Sequence, residues 1–415
     1  MKNLVILGAG TAGTMMANHL VKKLNKKEWQ ITLVDQFKSH YYQPGFLFIP
    51  FGTYQPEDVK RTIDEFLPKG IQLIREKIDR IDKDTDTVIL ENGRNVKYDI
   101  LIIATGCKIA PEEVPGMKGD TWQKNIFDFY TFEGSCALAK KLETWPGGKL
   151  VVHITEMPIK CPVAPLEFAF LADDYFTKKG MRDKVEISYV TPLSGAFTKE
   201  KCTKALEYLL KDKNIKIVPD FAVEHIEGEN GKMFDYGGEV VDFDLLVTVP
   251  TNMGDECILR SGFGDDLNYV PTDKNTLQSK VKENIFVIGD ATNVPASKAG
   301  SVAHFEAEIL TENILKYIEG KPLNPKFDGH ANCFIETGKG KALLIDFNYD
   351  VEPLKGKFPF AGIGPLNLLE ESAFNHFGKM AFKWVYWNML LPARKIPFVT
   401  PTMSRAGKKF DKETV

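Results

Sequence analysis

The feature that most constrains the fold of this chain is a glycine-rich turn close to its start. A short apolar run, Leu4–Leu7, is followed directly by Gly8-Ala9-Gly10-Thr11-Ala12-Gly13 and then by a helical pattern over Thr14–Lys23. A second apolar run, Ile31–Val34, ends at Asp35. In a βαβ unit, a G-x-G-x-x-G turn holds the pyrophosphate of a dinucleotide at the helix N-terminus. The sequence therefore predicts an α/β chain that begins with a dinucleotide-binding domain.

Each glycine of this turn has its own physical role. Gly8 permits the tight turn, Gly10 lets the backbone approach a pyrophosphate, and Gly13 lets the helix pack on the strand. An acid about 20 residues after the turn accepts hydrogen bonds from a ribose, and Asp35 stands there. Because strand, turn, helix, strand and acid are all present, a glycine-rich turn without a ligand is the poorer interpretation. The predicted contacts are Gly8, Gly10, Thr11, Ala12, Gly13 and Asp35.

Two later segments indicate which dinucleotide binds. One strand pattern ends in Ala104-Thr105-Gly106, and another ends in Gly289-Asp290. Together with the first turn, these segments resemble the three signatures of the two-dinucleotide-binding-domain flavoproteins. The resemblance implies FAD as the cofactor, with Asp290 holding the ribityl chain. It also implies an FAD domain that is interrupted by an inserted domain.

The length of 415 residues suggests two or three domains. We expect two Rossmann-like domains and a C-terminal amphipathic, membrane-anchoring region. The predicted ranges are 1–110 and 249–328 for the two parts of the FAD domain, 111–248 for the inserted domain, and 329–415 for the C-terminal region.

Composition excludes several other classes of protein. The net charge of −3 gives no case for nucleic-acid binding. Six cysteines are too few for a disulfide scaffold, and none forms a C-x-x-C pair, so we predict no metal site. We also expect neither a signal peptide nor a transmembrane helix, because the first apolar run reads as a strand and no apolar stretch reaches about 18 residues.

The inserted domain lacks the second glycine-rich turn that NAD(P)H-dependent relatives carry. Its expected strand, Lys149–Ile154, is followed by a turn over 155–165 that contains no glycine. Side chains there would block the approach of a pyrophosphate, and Glu156 would repel it. The sequence therefore disfavours a nicotinamide as the electron donor.

A cysteine stands in this turn instead. Cys161 lies beside Lys160, just before a helical pattern that begins at about Leu166. A thiol near a cation and a helix N-terminus has a lowered pKa, so we predict a nucleophilic sulfur beside the flavin. The alternative is a small buried thiol that only packs in the core. The same two interpretations apply to Cys333, in the segment Gly329–Gly338.

The tail of the chain is both basic and aromatic. From Ser372 to Phe410 there is no Asp or Glu, but there are seven Lys or Arg residues. A helical wheel puts the aromatic residues on one side, with Lys379 and Lys383 pointing away. Such a pattern favours a helix that lies on anionic lipid, and a core or dimer helix is the alternative. The residues predicted to contact a lipid surface or a lipophilic quinone are Phe360, Ile363, Phe374, Phe377, Trp384 and Trp387.

Three segments together resemble the sulfide:quinone oxidoreductases over nearly the whole chain. They are Lys160–Ala169, which holds Cys161 and Glu167, then Asn332-Cys333-Phe334, and Pro295–Gly300 with Lys298. The resemblance implies that Cys161 and Cys333 form a redox pair, joined by a disulfide or a bridging sulfur, on one face of the flavin. Hydrosulfide would attack this bridge, electrons would pass through FAD to a quinone, and sulfane sulfur or polysulfide would form. Glu167 would relay protons, and Lys298 would stabilise the anionic reduced flavin.

The chain departs from that family at one position. Where many members have a third cysteine we find Tyr130, which disfavours a covalent FAD link through that position. We assign no catalytic role to Cys107 or Cys136, and the sequence leaves open whether FAD is bound covalently. The alternative functions are type II NADH:quinone oxidoreductase, flavocytochrome c sulfide dehydrogenase, and a redox-sensing or sulfur-carrying flavoprotein. We expect a peripheral membrane protein that can form a homo-oligomer. The sequence leaves open the membrane face, the quinone and the polysulfide length.

Overall fold

The N-terminal apolar run is the central strand of a parallel sheet in the computed structural model, which describes residues 1–410. All neighbouring strands of this five-stranded sheet are parallel. Their spatial order is Ile285–Val287, Ile100–Ile103, Lys2–Leu7, Trp29–Val34 and Ile71–Ile74. Because the carboxyl ends of parallel strands share one edge, the three predicted signature segments meet there. The predicted α/β fold is confirmed.

A second five-stranded parallel sheet forms the inserted part of the chain. Its middle strand is fully buried from Leu150 onward, as expected for a strand covered on both faces. The spatial order is Ile126–Phe127, Leu245–Val249, Gly148–Ile154, Val185–Val190 and Ile215–Val218.

Seven α-helices occur within residues 1–410. The first begins immediately after Gly10, and the last continues into a π-helical turn, Tyr386–Leu390. They are α1 (Thr11–Leu20), α2 (Phe132–Thr144), α3 (Ala164–Lys178), α4 (Glu200–Asp212), α5 (Glu256–Ser261), α6 (Gly300–Ile318) and α7 (Ala373–Val385).

The C-terminal region contains a four-stranded mixed sheet against which α7 packs. Its spatial order is Ala331–Gly338, Lys341–Phe347, Gly364–Leu368 and Gly356–Phe360. Cys333 lies on the first of these strands, opposite Ile345. The last five residues of the predicted C-terminal region, 411–415, lie outside the described residues.

The remaining strands of residues 1–410 form four small sheets. Cys107–Ala110 pairs with Thr251–Gly254, and Ser39–Tyr41 pairs with Lys60–Thr62. The two three-stranded antiparallel sheets consist of Ile78–Asp82, Thr87–Leu90 and Asn95–Lys97, and of Val223–Glu227, Lys232–Asp235 and Val240–Asp242.

The apolar residues of α7 and of the π-helical turn after it do not share one face. Phe374, Phe377 and Trp384 are exposed, whereas Trp387 is buried and stacks on Phe66 with ring centroids 5.0 Å apart. The prediction that Trp387 contacts a lipid surface is therefore wrong, because the π-helical turn directs this ring into the core. Its contact with a quinone stays a prediction.

The prediction that Lys379 points to solvent is also wrong. Its side chain is buried and paired with a carboxylate of α3. Lys383 is only partly exposed, at 3.6 Å from Asp58. Within residues 1–410, no helix combines the length and the apolar character that crossing a bilayer requires.

Candidate active site

A cavity of about 940 Å³ opens at the edge of the first parallel sheet. It is bounded by all three signature segments and by the turn that follows strand Gly148–Ile154. Most of the sequence-predicted site residues therefore share one cavity. Those that line it are Gly8, Gly10, Thr11, Ala12, Asp35, Ala104, Thr105, Gly106, Cys161, Glu167, Gly289, Asp290 and Lys298.

The three glycines of the first turn are needed for different reasons. Gly8 has φ +93°, and a Cβ there would lie 2.5 Å from the carbonyl oxygen of Ala104. A Cβ on Gly13 would lie 1.8 Å from the carbonyl oxygen of Gly8, which explains why Gly13 packs the turn but does not line the cavity. A Cβ on Gly10 would meet no protein atom within 4 Å. Gly10 thus leaves room for a ligand.

The polar groups around this turn fit FAD. Helix α1 has no side-chain cap, so the backbone N–H groups of its first turn remain available to a phosphate. Asp35 accepts hydrogen bonds from the N–H groups of Ala9 (2.6 Å) and Phe37 (2.7 Å), and burial raises its pKa. The buried hydroxyl of Thr105 has no partner among the described residues. These residues would hold the pyrophosphate and a ribose of FAD.

The glycine-free turn carries Cys161 across to the first sheet. The Cys161 N–H donates to the carbonyl of Lys298 at 2.7 Å, which fixes the turn against the FAD-binding side. Cys161 has φ +48°, a left-handed conformation that costs a non-glycine residue about 1 kcal/mol. The Tyr130 hydroxyl donates to the Cys161 carbonyl at 3.2 Å. Tyr130, at the place of the family's third cysteine, therefore supports this strained turn.

Lys298, whose carbonyl accepts the hydrogen bond from Cys161, has a fixed side chain as well. Its ammonium donates to the carbonyls of Asp290 (3.0 Å) and Thr292 (2.6 Å) and lies 3.9 Å from the ring centroid of Tyr269. Burial lowers its pKa, and the charge of Asp290 partly offsets that shift. The structure thus brings Lys298 to the wall of the cavity beside Asp290.

Cys161 and Cys333 lie close enough to interact electrostatically. Burial raises the pKa of Cys333, and the charge of Cys161 is the next largest cause. Both are free thiols in this structure, so they are not joined by a disulfide here. Cys161 lines the cavity, whereas Cys333 is not among its lining residues.

The prediction of a lowered pKa for Cys161 is wrong. Burial raises its pKa to about 12, and Glu167 adds to this effect. The cation that opposes the shift is Lys379, not the neighbouring Lys160, whose ammonium lies 3.1 Å from Gln43 Oε1. The sequence shows that Lys160 is adjacent, but not that its side chain turns away from the thiol.

Glu167 and Lys379 form a buried ion pair beside the thiols. Lys379 Nζ lies 2.8 Å from Glu167 Oε1, and it also donates to the carbonyl of Phe334 at 3.1 Å. The pKa of Glu167 is raised because its burial outweighs the attraction of Lys379. Sequence analysis missed Lys379 as a site residue, since a helical wheel alone does not show which face of α7 is covered.

A second unexpected contact ties the C-terminal helix to the first turn. The Tyr386 hydroxyl lies 2.7 Å from Thr11 Oγ1 and 2.8 Å from His40 Nε2. His40 Nδ1 lies 3.2 Å from the carbonyl of Ala9. His40 and Tyr386 both line the cavity. No sequence motif marked either residue.

Among known proteins, the family described as pyridine nucleotide-disulphide oxidoreductase matches residues 2–152. A mitochondrial sulfide:quinone oxidoreductase of Dictyostelium discoideum is 28% identical over 400 residues, covering 94% of this chain and 86% of that protein. A type II NADH:quinone oxidoreductase of Staphylococcus aureus is 29% identical over 385 residues, covering 86% and 92%.

The fold also matches a solved structure. The sulfide:quinone oxidoreductase of Aquifex aeolicus superposes with a TM-score of 0.76 at 23% identity, covering 94% of this chain and 92% of that one. These matches confirm the resemblance to sulfide:quinone oxidoreductase that three sequence segments indicated. With the glycine cradle and the adjoining thiols, they show that the chain is an FAD-dependent oxidoreductase with the pyridine nucleotide-disulphide oxidoreductase fold.

Proposed function

We propose that this protein is a sulfide:quinone oxidoreductase that uses Cys161 and Cys333 as its redox pair. The observation that carries the proposal is the path of the turn over 155–165, which brings Cys161 to the FAD cavity, while α3, which follows that turn, packs on the strand Ala331–Gly338 that holds Cys333. When held by the glycine turn and Asp35, FAD would supply two-electron transfer from sulfur to a quinone. The overall reaction is HS⁻ + quinone + H⁺ → sulfane sulfur + quinol, and further cycles lengthen the sulfur chain to polysulfide.

The side chains around Cys161 and Cys333 influence whether these thiols are protonated. A cysteine attacks sulfur as a thiolate, and burial keeps Cys161 and Cys333 protonated at neutral pH. Lys379 opposes that shift at both thiols. Glu167 lies in the same cavity wall and has one buried oxygen without a partner in the described part of the chain. Glu167 is therefore placed to accept a proton, as the family resemblance implies.

The resemblance to a type II NADH:quinone oxidoreductase favours a second candidate, but the inserted domain argues against it. The turn that would hold the NADH pyrophosphate contains no glycine. The Glu156 carboxylate within it accepts a hydrogen bond from Thr251, so it is fixed at the end of the second sheet. A negative charge held there repels a phosphate.

One spectral titration separates the two candidates. Purified holoenzyme is mixed anaerobically with sulfide, then with decyl-ubiquinone, and in a parallel sample with NADH. We expect sulfide to bleach the flavin absorbance and quinone to restore it, with no bleaching by NADH within minutes. Bleaching by NADH and none by sulfide would overturn the proposal.

We also propose that the protein binds the surface of an anionic membrane as a peripheral protein. The exposed residues Phe374, Phe377 and Trp384 lie along one face of α7, and Phe360 and Ile363 are exposed in the neighbouring hairpin. Exposed aromatic residues together with basic side chains favour binding at a lipid interface, and Arg394 and Lys395 are exposed in the segment that follows this helix. This surface would also let a lipophilic quinone enter from the bilayer.

Vesicle binding tests the membrane proposal. The double variant Phe374→Ser/Phe377→Ser should sediment with phosphatidylglycerol vesicles at least about tenfold more weakly, because two large apolar side chains are lost. Tyr236→Ser is the matched control, since Tyr236 is 75% exposed on the distant inserted domain and Phe377 is 71% exposed. Equal binding of the double variant and the control would contradict the proposal.

The domain ranges 1–110, 111–248, 249–328 and 329–415 and a homo-oligomeric state stay predictions.

A further inference from the structure

A row of titratable side chains leads from the cavity wall to the outside of α7. Glu167 lines the cavity and is fully buried. Glu336, on strand Ala331–Gly338, is 1% exposed. His376, on α7, has 35% of its side chain exposed. The three residues come from three different elements and together connect the sulfur site with solvent.

Short contacts join the members of this row. His376 Nδ1 lies 2.8 Å from Glu336 Oε2. The backbone N–H of Glu336 donates to Glu167 Oε1 at 2.8 Å, which brings the main chain at Glu336 against the Glu167 carboxylate. Lys379, one turn after His376 on α7, donates to the same oxygen of Glu167 at 2.8 Å.

Each of the two carboxylates keeps one free oxygen. Glu167 Oε2 and Glu336 Oε1 are buried and have no hydrogen-bond partner within residues 1–410. A buried carboxylate oxygen without a partner is costly unless the group is protonated for part of the time. These two oxygens are the positions where a proton can be taken and given.

The surroundings of Glu336 poise it for proton exchange. Burial raises its pKa to about 7, the charge of Glu167 adds to the shift, and His376 and Lys379 oppose it. The charge of Glu336 in turn contributes to raising the pKa of Tyr54. A carboxyl group whose pKa lies near the working pH is suited to bind and release a proton.

We propose that Glu336 and His376 form the outer part of a proton path between solvent and the sulfur site. The inference rests on the proposed function. There, hydrosulfide loses two electrons and one proton at the sulfur site, and the quinone gains two electrons and two protons at its own site. Glu167 accepts the proton that leaves sulfur and passes it to Glu336, and His376 releases it to solvent. Both residues act through Glu167 and position the proton rather than touch sulfur.

The test measures the pH profile of turnover in matched variants of the holoenzyme. Wild-type kcat for sulfide-dependent quinone reduction should change with an apparent pKa near 7. Glu336→Gln should remove this pH dependence of kcat. It should also lower kcat about 10- to 100-fold, the range typical of a lost proton-transfer group, with little change in the KM for sulfide. Glu336→Asp should restore most of the rate. His376→Ala should be slow, and added imidazole should rescue it.

His225 supplies the control. Its side chain is 37% exposed, close to the 35% of His376, it lies 3.5 Å from Glu224, and it does not line the cavity. His225→Gln should keep the native pH profile. A native profile and rate in Glu336→Gln, or failure of imidazole to rescue His376→Ala, would overturn the proton path.

An infrared difference spectrum gives a readout that does not depend on turnover. Reduction of the flavin by dithionite should change a protonated-carboxyl band that is absent from the Glu336→Gln spectrum, and an unchanged set of bands in that variant would count against the path. If wild-type enzyme fails to reduce quinone with sulfide, the proposed function has failed. The infrared experiment still decides whether Glu336 exchanges a proton with the redox state of the cavity.

Discussion

The two parallel sheets of this protein end in turns of opposite character. In the first, glycines at 8, 10 and 13 bring the backbone close to a cavity and leave helix α1 uncapped. In the second, the equivalent turn contains no glycine and carries Cys161. One turn is shaped for a phosphate, and the other holds a thiol against the first domain through the bond from Cys161 to Lys298.

The difference teaches that a Rossmann-like sheet can keep its topology while its turn changes use. Each sheet has five parallel strands, and in each sheet the turn follows the carboxyl end of the central strand. What changes is whether the turn presents backbone N–H groups or a side chain. The inserted domain therefore serves as a support for Cys161 and for the buried Glu167 at the start of α3.

The largest expected effect concerns the thiol that the second turn holds. Cys161→Ser or Cys333→Ser should slow anaerobic bleaching of the flavin by sulfide by about 10³-fold, because a hydroxyl does not replace a thiolate nucleophile. Stopped-flow absorbance measures the rate. Cys136→Ser is the control, because Cys136 lies on α2 and does not line the cavity. Bleaching at the native rate in either variant would show that Cys161 and Cys333 do not act as a redox pair.

A smaller effect distinguishes two glycines of the first turn. Gly13→Ala forces a Cβ against the Gly8 carbonyl and should lower the free energy of unfolding by about 1–3 kcal/mol as well as weaken FAD binding. Gly10→Ala adds a methyl group that meets no protein atom, so it should weaken FAD about 10- to 100-fold at almost unchanged apoprotein stability. Fluorescence titration with FAD and urea unfolding of the apoprotein give the two quantities. Equal stability losses would show that Gly10 is also structural.

The smallest effect compares two buried histidines, His40 beside the first turn and His153 on the middle strand of the second parallel sheet. Burial lowers the pKa of His40 to about 4 and that of His153 to about 3, against about 6.5 in the unfolded chain. The unfolded state therefore binds more protons between those values, and stability is lost as the pH falls from about 6.5 toward 4. At pH 5 each histidine should cost about 2 kcal/mol relative to neutral pH.

Urea unfolding at pH 7.5 and pH 5 measures this cost. The acid-induced loss should shrink by about 2 kcal/mol in His153→Gln, and similarly in His40→Gln. Using differences between variants removes the opposing contribution of buried acids such as Glu306, whose pKa burial raises to about 7. Parallel pH curves for wild type and both variants would show that these imidazoles do not titrate as their burial requires.

The FAD half of the site is predictable from sequence because its determinants are local. Gly8, Gly10 and Gly13 stand in one motif, and the strands before Ala104 and Gly289 are continuous apolar runs, so parallel pairing alone brings them together. The absence of a glycine-rich turn from the inserted domain is equally visible in the sequence. Where a motif is short and its geometry is set by backbone, the pattern is sufficient.

The sulfur half is less predictable because burial decides it. The nearby Lys160 suggested a low pKa for Cys161, but the thiol is buried beside Glu167 and its pKa is raised. Lys379 reaches Glu167 from more than 200 positions away along the chain, and a helical wheel does not show this contact. Contacts between distant elements set the electrostatics of this site, and single-sequence patterns do not report them.

The hydrogen bonds of Tyr386 bear on how the C-terminal region should be studied. This residue of the tail contacts Thr11 of the glycine turn and His40 behind it, so cutting the chain before α7 removes part of the wall that surrounds the cofactor. A truncated protein that no longer sediments with vesicles would also have a damaged flavin pocket. Truncation would therefore change lipid binding and FAD retention together, whereas the point variants on the exposed face of α7 separate the two.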